Sequence, residues 1–499
     1  MATEQVMKNF SPEQEETFRS YLFTNPHGNI SLVFPQSLVA GEELSPLMSA
    51  ISRTHRSTQD RVLQFVDREK TEQAHAMLPL LQPLMNIFRL PDGRLNVSRK
   101  ASFFNREFAI LHGHGSIKEG TNVFGHVEHI SDKAGKKITG HPVNHPQVKS
   151  TRYISYGKTL DLSLTDEDLL SLPNAPEVIE HVSWLNQRYL VVSDELRDQV
   201  FAHADTKEIV TYLSRPENVE AVVQKWVVGR KLVDHEFDPS EKDIEKQRES
   251  IRQGLQDEGV LRDLGKFVLD YSRGYLSAAT KTSLVFSSDA RTLEEITTEL
   301  LSSLSIEEQR IGRELFHETK KIAPVLLGEK GHIGVDLWKV HNEQELRAYM
   351  EERFGNIPVK SHGKKMVNLL HPGNMEMYSD RFNAALVAFE YSDASLVDIM
   401  AHLSDTDVKD ILTRAHEHRS DHDVLHPAIA HGGLLFELTS GYQAYRDMFR
   451  HRRGSRTTQL LTTRLGFETP EILKVFGITC SKVISSLSGI SIILFSILQ

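Results

Sequence analysis

The sequence predicts a protein of mixed helix and strand, organised as two related units of unequal length around a long helical segment. Two observations predict this organisation. A short strand, a proline turn and a helix occur in that order at 30–52 and again at 367–388, as expected of an internal duplication. Between them, much of 164–353 has apolar residues at three- and four-residue spacing or is densely charged, as is typical of helices. Chance recurrence of strand, turn and helix is the alternative to duplication.

The individual elements can be assigned from local signals in chain order. The segment after Leu164 begins Thr-Asp-Glu-Asp, which favours a helix start because these side chains cap the first free N–H groups. Pro324 is expected to end a core-facing helix because proline removes a backbone donor. The predicted strands are 30–35 and 367–372, and the predicted helices are 47–52, 165–172, 292–304, 306–327, 384–388 and 442–449.

Composition restricts the classes of function. The 499 residues include 58 Lys and Arg against 68 Asp and Glu, a formal net charge of −10, which argues against a dedicated nucleic-acid binder. With 39% hydrophobic and 25% charged residues, the chain is typical of a soluble protein of several domains. Its single cysteine, Cys480, excludes intramolecular disulfides and multi-cysteine metal sites. We expect a reducing compartment, and the cytoplasm as the default.

The two termini carry weaker signals. The first 36 residues lack the basic start and apolar core of a signal peptide. Residues 483–498 are uncharged and apolar, but a membrane-spanning helix needs about 20 such residues, so no membrane association is expected beyond a weak possibility of a tail anchor. The composition of 477–499 differs from the charged chain before it, and an altered C-terminus or a buried last helix are the alternatives.

The densest basic cluster lies at 446–456, in a chain that is acidic overall. If 442–449 is a helix, Arg446 and Arg450 lie four residues apart on one face. Guanidinium groups bind phosphate oxygens in a bidentate manner, so the cluster predicts an anionic ligand. A solvated basic face and an RNA contact are the alternatives that composition leaves open.

Together with its flanks, this cluster resembles the flavin-dependent thymidylate synthases. That family carries Arg-Gln-x-x-Arg-His-Arg followed by a Ser-rich stretch, and this chain reads Arg446-Asp447-Met-Phe-Arg450-His451-Arg452 with Ser455 after it. His431 and Leu434-Leu-Phe436 are loosely similar to the histidine and strand that precede the motif. The second unit therefore resembles the half of the family pattern that contains the Arg-His-Arg core.

The first unit resembles the complementary half. Gly113-His114-Gly-Ser116-Ile-Lys-Glu119 is similar to the Gly-His-x-Ser-x-x-Glu motif, and Ser150-Thr-Arg152-Tyr153 is similar to the Ser-x-Arg-Tyr ending. Ser272-Arg273 and Asp289-Ala-Arg291 resemble two further arginine segments of the family.

The chain also departs from the family pattern. Gly140-His141-Pro142 stands where the first unit should carry Arg-His-Arg, Asp447 replaces the usual Gln, Asp289 the usual Asn, and Thr462 or Thr463 the usual Ser. The two extra carboxylates would repel phosphates unless they pair with Arg446 or Arg291.

The resemblance implies an α+β fold in which each of two related units has a mostly antiparallel sheet with helices. It also implies sites built from several subunits, and therefore a homo-oligomer. The implied reaction methylates dUMP to dTMP with methylenetetrahydrofolate and NADPH through FAD. The implied catalytic residues are Arg450, Arg452, Arg152 and Ser150; the implied FAD contacts are Arg450, His451, Arg452, His114, Ser116, Glu119 and Arg291; the implied substrate contacts are Arg446, Ser455, Arg273 and Arg152.

The alternative function is a non-catalytic flavin- or nucleotide-binding paralogue that acts as a subunit or scaffold. The predicted domains are an N-terminal extension at 1–27, a first thymidylate-synthase-like unit at 28–340 with a helical insertion at about 164–265, a linker at 341–365, a second unit at 366–476 and the apolar tail at 477–499. Whether one site or two survive is left open.

A histidine ladder is the one further candidate site. His418, His422 and His426 follow one another at four-residue steps and would share a helix face able to bind a transition metal. Arg419 takes the place of the acid in a His-Glu-x-x-His motif, and Pro427 interrupts the periodicity. A chance cluster is the expectation, and no metal is predicted.

Overall fold

The computed structural model describes residues 5–23, 30–33, 41–154, 156, 167–203, 268–329, 333–355, 357, 367–370, 379–419, 426–429, 435–448 and 456–459. In this part of the chain the protein is a mixture of helices and antiparallel sheet. The strands are β1 (Ile30–Val33), β2 (Asn122–Ser131), β3 (His145–Val148), β4 (Lys281–Asp289), β5 (Val367–Leu370) and β6 (Leu435–Leu438).

Helices precede and follow each strand pair. The helices before β4 are α1 (Pro12–Leu22), α2 (Gly41–Ile51), α3 (Thr58–Glu69), α4 (Thr71–Phe88), α5 (Arg99–Phe104) with a π-helical continuation (Asn105–Leu111), α6 (Ser116–Glu119), α7 (Asp132–Thr139), α8 (Glu167–Leu170) and α9 (Ala175–His203). The later ones are α10 (Ala290–Leu301), α11 (Ile306–Ile322), α12 (Leu337–His341) with a π-helical continuation (Asn342–Leu346), α13 (Arg347–Phe354), α14 (Asp380–Glu390), α15 (Leu396–His402), α16 (Asp405–His416) and α17 (Tyr442–Met448). Short 3-10 turns lie at Arg273–Tyr275 and Pro427–Ile429.

These elements confirm most of the local predictions. Strands form at both predicted positions, and α11 ends at Ile322, immediately before Ala323 and Pro324. Helix α10 begins at Ala290, earlier than predicted, because the Asp289 carboxylate accepts a hydrogen bond from the Thr292 N–H and caps the helix.

The larger sheet has the order β1-β2-β4-β3, and all its neighbouring strands are antiparallel. Its two faces are buried by different layers. Phe124 and Val285 pack against the N-terminal helices, whereas Leu284 and Phe286 face the layer of α7, α10 and α11. This alternation follows the two-residue period of a strand. Helices therefore cover both faces of the sheet.

A β-bulge in β2 preserves this two-sided packing. The pairing with β4 shifts between Val127 and Ile130, and His129 within the bulge has φ of 59°. Ile130 comes three residues after Val127, so in a regular strand, where side chains alternate, the two would point to opposite faces. With the bulge, both side chains are fully buried in the same core.

The N-terminal residues belong to the first core. Met7 and Phe18 are fully buried in the cluster that contains Phe124. The Glu15 carboxylate accepts hydrogen bonds from the backbone N–H groups of Val6 and Met7, each at 2.9 Å. Residues 5–23, which the sequence assigned to an extension, thus pack in the same core as Phe124 of the larger sheet.

The segment predicted as a linker at 341–365 is helical through Phe354. Its buried side chains Leu346, Met350 and Phe354 belong to the core formed by α14, α15 and α16. Their spacing of four residues places all three on one helix face. The physical boundary of the second core therefore lies before this segment. The smaller sheet of this half is the antiparallel pair β5-β6.

Only the first part of the predicted helical insertion is described, as α8 and α9; 204–267 lies outside the described residues. The apolar tail at 477–499 also lies outside them. Among the helices that the structure describes, none is both long and apolar enough to cross a membrane.

The close packing of α10 and α11 predicts a cost for substituting Gly312. A Cβ at this position would lie 2.9 Å from the Leu301 backbone nitrogen and 3.1 Å from Leu300 Cβ. We expect Gly312→Ala to lower the free energy of unfolding by about 1–3 kcal/mol, although alanine favours helices, because overpacking outweighs propensity. Gly334→Ala, with no atom within 4 Å of its Cβ, is the control. Equal urea midpoints for the two variants would contradict the close packing.

Buried His126 predicts a loss of stability in acid. It lies on β2 with 1% exposure, and burial lowers its pKa to about 4 from an ordinary 6.5, although the nearby Glu128 carboxylate opposes the shift. As the pH falls below 6.5, the unfolded chain binds a proton that the folded protein does not, so stability decreases. We expect a contribution of about 2 kcal/mol to be lost at pH 5 relative to pH 8.

The variant His126→Leu tests this contribution in urea unfolding at the two pH values. Its loss of stability between pH 8 and pH 5 should be smaller than that of the wild type. His317→Gln, whose side chain is 60% exposed, should retain the wild-type difference. If His126→Leu also retains the full difference, His126 does not cause it.

Candidate functional site

Two of the predicted substrate residues, Arg152 and Arg273, meet at one end of the larger sheet. The Lys149 N–H donates to the Ser283 carbonyl at 2.9 Å, which places 150–154 directly beyond β3. Arg273 lies in the 3-10 turn that precedes β4. Because β3 and β4 are antiparallel, the end of β3 lies beside the start of β4. Both arginines therefore lie at the same end of the sheet.

Asp270 joins the two arginines. Arg152 Nη2 donates to Asp270 Oδ2 at 2.6 Å, and Arg273 Nη2 lies 3.3 Å from Asp270 Oδ1. Burial disfavours the charged form of Arg152, but the Asp270 carboxylate outweighs it and raises the pKa of Arg152. A single carboxylate thus contacts both guanidinium groups and sets their spacing.

The segments that carry the arginines rest on two buried tyrosines. The Tyr156 N–H donates to the hydroxyl of Tyr189 on α9 at 3.2 Å, and the Tyr156 hydroxyl donates to the Lys149 carbonyl at 3.2 Å. Both rings pack with Ile154, Leu269 and other apolar residues. The long helix α9 thus supports the site from beneath.

Helix α17 brings residues from the C-terminal part of the chain to this end of the sheet. Asp447 Oδ2 accepts a hydrogen bond from Arg273 Nη2 at 2.8 Å. The Arg273 side chain is 5% exposed, whereas that of Asp447 is 38% exposed, so Asp447 covers Arg273 on the solvent side. Asp270 and Asp447 balance the charges of Arg152 and Arg273.

A buried contact beside this group fixes α17 in place. The Tyr442 hydroxyl donates to Asp132 Oδ2 at 2.6 Å, and Arg446 Nε lies 3.3 Å from the same oxygen. Arg446 also donates to the Leu276 carbonyl at 2.9 Å, and its guanidinium carbon lies 4.6 Å from the centre of the Tyr442 ring. Burial disfavours the Asp132 carboxylate, but the charges of Arg446 and Lys136 and the hydrogen bond from Tyr442 together outweigh it and lower the pKa of Asp132.

Arg446 was predicted to contact the substrate, but the structure places its side chain in a buried contact within the protein. Its side chain is 6% exposed and its guanidinium bonds within the protein, since a buried guanidinium requires a counter-charge. Ser150 lies at the site edge, where its hydroxyl oxygen accepts a hydrogen bond from the Arg152 N–H at 3.3 Å.

The predicted flavin contacts of the first unit lie together elsewhere. Arg291 Nη1 donates to Glu119 Oε1 at 2.7 Å, and both side chains are about half exposed. Gly115 lies under Arg291, where a Cβ would be 3.4 Å from the guanidinium carbon. His114 is exposed, and the centre of its ring lies 6.3 Å from the centre of the Phe108 ring. Ser116 is the first residue of α6.

The two groups lie at opposite ends of β4. Arg273 precedes the strand and Arg291 follows it. The nine residues of β4 at roughly 3.3 Å each separate the groups by on the order of 25 Å. One small ligand cannot bridge that span within a single chain. Arg450, His451, Arg452 and Ser455 lie outside the described residues, so their position relative to either group stays a prediction.

The group around Arg291 and His114 contains the kinds of side chain that an anionic, planar cofactor such as FAD would need. Arg291, paired with Glu119, offers a half-exposed guanidinium for a phosphate. His112, His114 and Phe108 provide adjacent rings against which a planar group can stack. FAD binding at this group stays a prediction.

The histidine ladder does not form a helical metal site. Helix α16 ends at His416, and His418 has φ of 65°, which a regular helix does not accommodate. His426 is buried near Tyr391, and His422 lies outside the described residues. In the described part of the chain, no group of three His, Cys, Asp or Glu is arranged to hold a metal ion.

Sequence reasoning missed Asp270, Asp132 and Tyr442. Asp270 lies three residues before Arg273, a spacing that brings side chains together when the chain is helical, and 268–272 is helical. Asp132 is the first residue of a helix, a common place for a carboxylate. Nothing local to Tyr442 indicates its partner, which lies 310 residues away.

Comparison with known proteins finds relatives of one name. The chain is 30% identical to a UPF0159 protein of Chlamydia muridarum over 219 residues, and 28% identical to one of Chlamydia pneumoniae over 214 residues. Each match covers 41% of this chain, and the chain spans about 40% of these relatives. A UPF0159 protein of Thermoplasma acidophilum is 23% identical over 386 residues, 76% of this chain and 70% of its own length. No protein-family model matches, and no solved structure does.

The buried pair Asp132–Arg446 predicts a large effect of neutralising Asp132. In Asp132→Asn the guanidinium of Arg446 would stay buried without its counter-charge, which typically costs about 3–5 kcal/mol. We expect a clearly lower melting temperature. The control is Asp92→Asn, which removes an exposed pair with Arg94 and should leave the melting temperature nearly unchanged. Equal melting temperatures for the two variants would contradict the role of Asp132.

Proposed function

We propose that the protein is a flavin-dependent thymidylate synthase that methylates dUMP to dTMP, with methylenetetrahydrofolate as carbon donor, NADPH as reductant and FAD as cofactor. The observation that carries the proposal is the meeting of Arg152 and Arg273 on Asp270, beside residues of α17. The resemblance to the flavin-dependent thymidylate synthases independently implies that both arginines contact dUMP. Guanidinium groups held at a fixed spacing suit a phosphate monoester.

Each residue has a defined task in this proposal. Arg152 and Arg273 bind oxygens of the dUMP phosphate, and Asp270 orients both guanidinium groups. Arg291 and His114 hold FAD at the other end of the sheet, and bound FAD would supply the hydride. Arg450 and Arg452, which follow α17 in sequence, stabilise negative charge that develops on the pyrimidine.

We further propose that the chain consists of two related units. In both halves, two antiparallel strands are followed by a short helix, β2 by α7 and β6 by α17. If Gly140 is equivalent to Arg450, the offset is 310 residues. The same offset relates Asp132 to Tyr442, the first residues of α7 and α17, which contact each other. Contact between equivalent residues is expected where two related units meet around a local twofold axis.

Since the two groups of residues lie on the order of 25 Å apart along β4, a complete site would combine them from different copies. This supports the proposal of a homo-oligomer. The exposed state of Arg291 and Glu119 is compatible with a second copy that covers them.

The second candidate is a non-catalytic nucleotide- or flavin-binding paralogue. One observation favours it: Arg273 is neutralised by two carboxylates within the protein. In addition, the first unit has Gly140-His141-Pro142 where an independent second site would need arginines.

The test is an absorbance titration of the full chain with FAD, followed by anaerobic reduction with NADPH, with and without dUMP. An enzyme should show a flavin band that NADPH bleaches and that dUMP and methylenetetrahydrofolate restore, with formation of dTMP. Flavin or dUMP binding without dTMP would support the paralogue. Absence of both kinds of binding by the folded protein would contradict both proposals.

Neutralising Arg152 predicts a selective loss of nucleotide affinity. Arg152→Gln should weaken dUMP binding about tenfold or more, because a charge-assisted contact to phosphate is lost, while FAD affinity stays unchanged. Isothermal titration measures both constants. Arg94→Gln, which removes an exposed arginine paired with Asp92, should bind dUMP like the wild type. Unchanged dUMP affinity in Arg152→Gln would exclude Arg152 from the phosphate site.

A further inference from the structure

We propose that Asp447 is an internal competitor for the ligand phosphate, so that a phosphate monoester binds at Arg152 and Arg273 only by displacing its carboxylate. This inference rests on the proposed function and deepens it, because it names the residue that controls access to the anion site. The starting observation is that Arg273 Nη2 donates a hydrogen bond to Asp447 Oδ2 at 2.8 Å. A ligand oxygen that binds this nitrogen would have to replace Asp447 Oδ2.

The two carboxylates on Arg273 have different origins. Asp270 is three residues away, also contacts Arg152, and is 20% exposed. Asp447 comes from 174 residues away, and it is 38% exposed. Asp270 is thus part of the local framework that positions the arginines. Asp447 is the more exposed of the two carboxylates.

Asp447 supplies part of the counter-charge that the buried Arg273 requires. The Arg273 side chain is 5% exposed, and a buried guanidinium without sufficient counter-charge is strongly destabilising. With Asp447 present, the two arginines and the two aspartates have no net charge. The same balance lowers the attraction of the site for anions, because an incoming phosphate is repelled by Asp447 until that side chain moves.

A phosphate monoester has an advantage over the carboxylate that it replaces. It has three terminal oxygens and up to two negative charges, so it can bind Arg152 and Arg273 at once. Asp447 carries one negative charge and accepts a hydrogen bond from Arg273. A nucleoside without phosphate offers no replacement for Asp447. The competitor therefore selects phosphate monoesters over uncharged nucleosides.

Displacement of Asp447 does not require α17 to leave its position. The adjacent Arg446 fixes the helix through Asp132 and the Leu276 carbonyl, and Tyr442 adds a second bond to Asp132. In this proposal the Asp447 side chain rotates away from Arg273 Nη2 while α17 keeps its position. The anchored helix thus keeps the competitor close to the site and returns it when the ligand leaves.

The test compares dUMP binding by the full-length wild type, Asp447→Asn and Asp447→Gln in isothermal titration, with inorganic phosphate and uridine as further probes. Both variants should bind dUMP and phosphate about tenfold or more tightly than the wild type, because a repelling charge is removed. Uridine binding should not change. The matched control is Asp405→Asn, which neutralises a fully exposed aspartate paired with Arg381 and should bind like the wild type.

The remaining outcomes separate this inference from the proposed function. Equal dUMP affinity in the wild type and both variants would overturn the competitor and leave the proposed function intact. No dUMP binding by any folded variant would overturn the proposed function itself. Asp270 keeps its contact with Arg273 in both variants, so they should fold, with lower stability than the wild type. If thermal melting shows that neither folds, Asp447 is an obligatory counter-ion and not a displaceable competitor.

Discussion

The buried contact between Asp132 and Arg446 is the interaction on which the arrangement of the site depends. It holds α17 against the start of α7. In this position of α17, Asp447 reaches Arg273. A buried ion pair contributes little net stability but tolerates few alternative arrangements, since either charge alone is costly. Its contribution is therefore to orientation: it determines which residues of the second half of the chain face the arginines of the first.

The sheet determines the rest of the geometry. Helical layers bury both faces of the larger sheet, so its functional residues lie at the two ends of the strands, where loops and helix starts are accessible. Arg152 and Arg273 lie at one end, and Arg291 and Glu119 at the other. A strand of nine residues is rigid on this scale. The separation of the two groups therefore follows from the fold and not from the rotamers of the side chains.

Sequence reasoning identified the local features well. Strand, helix and cap signals depend on a few neighbouring residues, and β1, α11 and α14 lie close to their predicted positions. It also placed Arg152 and Arg273 in one group. It did not identify Asp270, Asp132 or Tyr442, because a carboxylate in a charged chain has no distinguishing signal until the fold brings it to a buried arginine. Residues 341–355 were assigned to a linker for a related reason: their three core positions are few among many charged residues.

The central claim is that Arg152 and Arg273 form a phosphate site that Asp447 occupies in the absence of ligand. A crystal structure of the full-length protein with dUMP tests this most directly. The account predicts that phosphate oxygens contact both guanidinium groups, that the Asp447 carboxylate has left Arg273, and that Arg446 still contacts Asp132. A structure with dUMP bound elsewhere and the Arg273–Asp447 contact intact would contradict it.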